Sequence, residues 1–172
     1  LMQYIKGPDF PTGGIILLES DKDDLLTAYA TGRGRIIVRG RVHVEEMGRG
    51  RSRIIITELP YLVGPEKVIA KIKDGVTSKK LQGISDVTDL TDRTHGLRLV
   101  IGIKTGFDPN AVLEQLYRLT PLEDSFSINN VALVDGQPRT LGLKEMLSVY
   151  VAHRIEVIPR RSRYRLARRE ER

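Results

Sequence analysis

Seven arginines stand within one short stretch: Arg33, Arg35, Arg39, Arg41, Arg49, Arg51 and Arg53, against Glu45 and Glu46. Arg33 and Arg35 flank a glycine, and Arg39 and Arg41 follow at a spacing of two. Side chains alternate across an extended strand, so Arg35, Arg39 and Arg41, and more loosely Arg33, share one face. Neighbouring cations on that face stand ~6.5–7 Å apart, which matches the phosphate spacing of a nucleic-acid strand. A guanidinium also binds phosphate through two parallel hydrogen bonds. The same pattern fits a solvent-facing strand whose arginines pair with Glu45, Glu46 or the acidic run 19–24. The pattern alone leaves both readings open. Aromatic residues make up 5 % of the chain and form no stacking platform. That favours contact with a duplex backbone over single-strand binding. Arg33, Arg35, Arg39 and Arg41 are therefore the candidate DNA-binding residues.

Other chemistries find no support. No Gly-rich run ends in Lys-Ser or Lys-Thr, so no phosphate-cradling loop is present. Gly32-Arg33-Gly34 is too short for a dinucleotide fingerprint and reads as a turn. His43, His95 and His153 are far apart and form no metal-spaced pair. Ser52, Ser125 and Ser127 lie in strand-like runs without a nucleophile elbow. Asp23-Asp24, Glu45-Glu46 and Glu123-Asp124 are adjacent pairs whose side chains diverge, as on a solvated face. The sequence offers no catalytic or metal-ligating candidate and no cofactor site. A free-standing enzyme is the reading it supports least.

The elements that must position the arginines follow from periodicity. GPDFPTGG, residues 7–14, carries too much Pro and Gly for regular structure. Residues 15–18 read as a short strand. Residues 21–29 read as a helix capped by Ser20 or Asp21. Residues 35–45 alternate in part, as a single half-buried strand does, with 31–34 as the loop before it. Gly48-Arg49-Gly50 is a turn, and 52–59 is the second arm of a hairpin ended by Pro60. Helices are expected at 66–77, after Pro65, and at 110–119, after Pro109. Strands are expected at 83–89, 97–104 and 125–134, the last followed by an Asp135-Gly136 hairpin turn. A long helix starts at Leu143. Pro159 removes one of its hydrogen bonds and clashes with the carbonyl of Ile155, at ~3 kcal/mol, so a kink or an end is expected near 155–159. The fold class is α+β: a mixed or antiparallel sheet with flanking helices, followed by the start of a long helical arm.

Charge is segregated along the 172 residues. Residues 153–172 hold eight Arg and three Glu, and nearly all of the net charge of +6. Such segregation suits a protein that presents one face to a polyanion. The terminal arginines spread over several helix faces and read as a solvated or coiled-coil surface. With no cysteine, disulfides and thiolate metal sites are excluded, and the cytoplasm is the expected compartment. No apolar run approaches the roughly 20 residues of a membrane span. The Leu-Met start and the charged, uncapped helix at the far end give the expectation of a segment of a longer chain.

Several runs together resemble one family. GPDFPTGG (7–14), YATGRGRIIVRGR (29–41), ITELPY (56–61), SDVTDLTDR (85–93), GLRLVI (96–101), VLEQLYRLTPLEDSF (112–126) and ALVDGQPRTLGLKE (132–145) are similar to the A subunits of bacterial type IIA DNA topoisomerases. The resemblance covers essentially the whole chain, in order. It implies a tower domain at 1–142 and, at 143–172, the start of the helical arm that leads to the exit gate. It also implies a segment that flanks and supports the gate duplex during double-strand passage, with the arginines around 33–41 facing the DNA backbone. Implied partners are duplex DNA and, in an A2B2 heterotetramer without a membrane, a second A subunit with its B subunits. ATP and magnesium would be held by the B subunit. The family's nucleophile is a tyrosine preceded by arginine in an upstream domain. Arg163-Tyr164 has that order but lies in the arm helix, so Tyr164 reads as packing along it. Gyrase-like members often follow the ELPY run with Gln-Val-Asn-Lys. Here Leu62-Val63-Gly64-Pro65 stands instead, which leaves gyrase and topoisomerase IV both open. A purely structural strut, without DNA affinity, is the competing reading.

Overall fold

In the computed structural model, residues 1–48 and 50–171 are described, without the side chains of residues 19–23. Arg49 and Arg172 lie outside the described residues, and with Arg49 the expected turn at 48–50. The helices start where local chemistry starts them. Pro65 opens α2 (Pro65–Thr77), where its missing N–H costs nothing. Pro109 opens α3 (Pro109–Leu119), and the Asp108 carboxylate caps it by accepting from the Asn110 amide at 3.1 Å. α1 (Leu18–Thr31) begins earlier than the expected cap at Ser20 or Asp21, whose side chains lie outside the described residues.

The chain divides into two compact units. One consists of residues 6–20 and 36–126. Its sheet is antiparallel, in the order β3 (Arg41–Gly48), β4 (Arg51–Glu58), β6 (Leu99–Ile103), β5 (Ile84–Asp89). Ile54 and Ile56 of β4 pair with Ile101 and Leu99 of β6. They bury against Val68 and Ile72 of α2 and Val112 and Leu116 of α3. Each such side chain contributes ~1.5–3 kcal/mol by leaving water. Ile55 points to the other sheet face by alternation, yet it too is fully buried. β1 (Ile15–Ile16) pairs with the end of β2 (Arg33–Arg39), Ile15 opposite Arg39.

The other unit consists of residues 1–5, 21–35 and 127–172. It holds most of α1, the hairpin of β8 (Val131–Val134) and β9 (Gln137–Thr140), and α4 (Leu143–Glu170). Asp135 and Gly136 turn the hairpin at φ 51° and 77°, the left-handed pair that a two-residue hairpin needs. Leu25, Ala28 and Leu141 are buried. α4 buries no residue along its 28 positions.

Three expectations are corrected. The single strand at 35–45 is two strands, β2 and β3, which belong to different sheets. Gly40 separates them: it is buried, its amide donates to Leu122 O at 2.8 Å, and a Cβ there would meet the Glu58 backbone. The strand-like run at 125–134 is also two strands, β7 (Glu123–Asn129) and β8. The helix does not end near Pro159, because α4 runs through it to Glu170. Ile155, whose carbonyl the proline leaves unpaired, is 64 % exposed, so water can take that carbonyl. Overall the architecture is α+β, as the alternation of elements implies.

Candidate nucleic-acid interface

Arg33 and Arg35 owe their direction to the glycines beside them. Gly32 has φ 79°, and a side chain there would strike the Leu141 carbonyl. A Cβ on Gly34 would strike Ala28 and the Asp24 carbonyl of α1. The inner positions of this run are thus bare so that backbone can approach backbone, and alternation sends Arg33 and Arg35 outward. Both are exposed, and neither forms an ion pair among the described residues.

Arg39 is placed otherwise. Its Nε donates to Glu123 Oε2 at 2.5 Å, and its guanidinium carbon lies 4.2 Å from the centre of the Tyr117 ring. Burial raises the Tyr117 hydroxyl above its ordinary pKa, against the pull of Arg39. Ion pair and cation–π contact together hold Arg39 in place. Arg41, on β3, donates through Nε to Glu58 Oε1 at 2.9 Å. Its side chain is 56 % exposed.

Glu58 joins two segments. Its other oxygen accepts from the Gly14 amide at 2.6 Å, and Gly13 has no room for a side chain beside it. The Gly14 hydrogen bond, with help from Arg41, holds the carboxyl below the usual glutamate range. Phe10, Tyr61 and Phe126 pin the same segment, with ring centres 4.9 to 6.2 Å apart. GPDFPTGG is therefore irregular but anchored at Phe10 and Gly14. Arg39 and Arg41 pair with Glu123 and Glu58, carboxylates that neither reading of the sequence named.

Of the other hairpin arginines, Arg53 does pair with Glu45, at 2.6 Å, while Arg51 is exposed. Arg53 and His43 hold the Glu45 carboxyl low. The row of four is thus divided: Arg33 and Arg35, in one unit, form no ion pair among the described residues, and Arg39 and Arg41 are paired in the other. On α4 only Arg160 has a carboxylate among the described residues, Glu156 at 3.5 Å, while Tyr164 is 65 % exposed and does not pack as expected. Among the described residues no group of three His, Asp or Glu side chains is arranged to hold a metal ion. None of the described helices is long and apolar enough to cross a membrane.

All of the chain, residues 1–172, matches the family described as the A subunit of DNA gyrase/topoisomerase IV. The chain belongs to that family. The DNA gyrase A subunit of Pseudomonas aeruginosa is 52 % identical over 174 residues, covering 100 % of this chain and 18 % of that protein. Its Neisseria gonorrhoeae counterpart is 48 % identical over 168 residues, 96 % of this chain and 18 % of its own length. The chloroplastic/mitochondrial gyrase A subunit of Arabidopsis thaliana is 45 % identical over 174 residues, again 100 % against 18 %. The chain spans about a fifth of the length of the curated relatives it matches.

Proposed function

We propose that this chain is a DNA-backbone-contacting support segment of the breakage-reunion subunit of an ATP-dependent type IIA DNA topoisomerase. It flanks the gate duplex during double-strand passage and takes no part in the bond chemistry. Residues 1–142 act as the tower and 143–172 begin the arm toward the exit gate. The working assembly is an A2B2 heterotetramer in the cytoplasm, with ATP and magnesium on the B subunit. The gyrase names of the relatives favour the gyrase branch.

The observation that carries this reading is the pair Arg33 and Arg35, outward on β2 and without carboxylates among the described residues. Exposed guanidinium groups without a carboxylate among the described residues, in a DNA-topoisomerase family, are the groups a phosphate would meet. Arg41 adds its outer nitrogens, and Arg39 serves mainly to fix its own strand. Binding is sequence-blind, because phosphates carry no sequence. Fluorescence anisotropy of the chain with a duplex of roughly 30 base pairs tests it. Micromolar binding that weakens steeply with salt is expected. The ion pairs of Arg39 and Arg41 favour a second reading, a rigid strut without DNA affinity. No binding at low salt selects the strut.

A further inference from the structure

α4 carries a second basic surface that the hairpin reading does not use. At ~100° per residue, Arg161, Arg165 and Arg168 fall within about 60° of one another around the helix. Arg154, seven residues before Arg161, lies on the same line, and Arg169 widens it. From Arg154 to Arg168 the ridge is about 21 Å long. Arg161, Arg165, Arg168 and Arg169 are exposed, and none of the five has an ion pair among the described residues. The helix glutamates Glu145, Glu156 and Glu170 lie about 150–170° round the helix from the ridge, and Glu171, just past the helix end, lies about 90° from it without an ion pair to it among the described residues. Residues 153–172 hold eight Arg and no Lys.

The arginines thus divide into a ridge and a remainder: Arg160 and Arg163 point to other faces. Arg154, Arg161 and Arg168 recur every seven residues beside Tyr150, Val157 and Tyr164, as the flank of a paired helix does. Such flanks normally mix signs, and a solvated helix face intersperses Glu four residues from Arg. Here Arg165 and Arg169 extend the ridge away from that apolar line, still without a carboxylate among the described residues. A second copy of the helix would meet it with like charge. One-sided arginine, without lysine and with its glutamates off the ridge, matches the regular phosphates of a duplex.

We infer that the Arg154–Arg161–Arg165–Arg168 ridge of α4 is a second duplex-DNA surface, reading backbone charge and not bases. The inference rests on the reading that this chain contacts duplex DNA. Its test uses the whole chain and two charge-matched variants, Arg161→Glu with Arg165→Glu on the ridge and Arg160→Glu with Arg163→Glu off it. Duplex affinity is measured by anisotropy across a salt series, with helix content checked by circular dichroism. The ridge pair should lose at least tenfold in affinity, and its salt slope should fall by about 1.8. The off-ridge pair should lose less than threefold. Arg161→Gln with Arg165→Gln repeats the ranking should the glutamates unwind the helix. Equal losses in both pairs would mean diffuse electrostatics, and no loss on the ridge would remove it as a DNA surface. If the ridge pair abolishes binding of a Glu-rich helical peptide while duplex binding stays, the ridge belongs to a protein partner and the inference fails. Those outcomes leave the Arg33–Arg35 contact standing. A wild-type chain that binds no duplex overturns both.

Discussion

The sheet of β3–β6 and the helix α4 use the same residue types to opposite ends. In the sheet unit, Ile54, Ile55, Ile56 and Ile101 are fully buried, and Arg39, Arg41 and Arg53 each hold a carboxylate. In α4, Ile155 and Tyr164 face outward, and only Arg160 has an acidic partner among the described residues. A paired arginine builds the fold, because its charge is spent on a neighbour that must stay put. An unpaired one retains its charge for a partner outside. Composition counts both alike, and geometry separates them.

The largest test of that contrast is in the core. Leu116→Ala should cost about 2–5 kcal/mol in urea unfolding, whereas Ile155→Ala on α4 should stay within ~0.5 kcal/mol. Similar costs at both sites would erase the distinction. Gly34→Ala comes next. Its new methyl would press on Ala28 and the Asp24 carbonyl, so a loss of about 1–3 kcal/mol is expected, measured as a lower Tm. A neutral result would mean that β2 does not depend on this close approach. Arg39→Ala should cost about 1–2 kcal/mol, since it strands Glu123 and uncovers Tyr117. Arg33→Ala should leave the Tm unchanged.

The smallest effect is one of pH. The folded state holds Glu58 below the ordinary glutamate value of about 4.3, so between the two values the unfolded chain binds the proton and the folded one does not. Its contribution is full above the ordinary value and is lost as pH falls through the folded one. Glu58→Gln should therefore lower stability at neutral pH by about 1 kcal/mol and flatten its decline as pH falls below the ordinary glutamate value. An unaltered acid limb in urea titrations would show that Glu58 does not anchor Gly14 and Arg41.

Much of this was legible in the residues. Pro65 and Pro109 announced α2 and α3, and Asp135-Gly136 announced the β8–β9 turn, because those signals act within a few residues. The break at Gly40 was not legible, since alternation runs through it and only packing against Glu58 and Leu122 demands the glycine. The partners of Arg39 and Arg41 lie 84 and 17 residues away in sequence, beyond any local pattern. Pro159 does not end α4, because the carbonyl it leaves unpaired lies on an exposed helix, where water can take it. The GRGR run did hold its own signal: small residues at alternate positions mark the face where backbone meets backbone, and so point the arginines away from it.

The most direct measurement is the duplex affinity and Tm of Arg33→Gln with Arg35→Gln beside those of the unaltered chain. The account predicts at least a tenfold weaker affinity, a salt slope lower by about 1.8, and an unchanged Tm. Unchanged affinity would contradict it, and would leave Arg33 and Arg35 without a phosphate to hold.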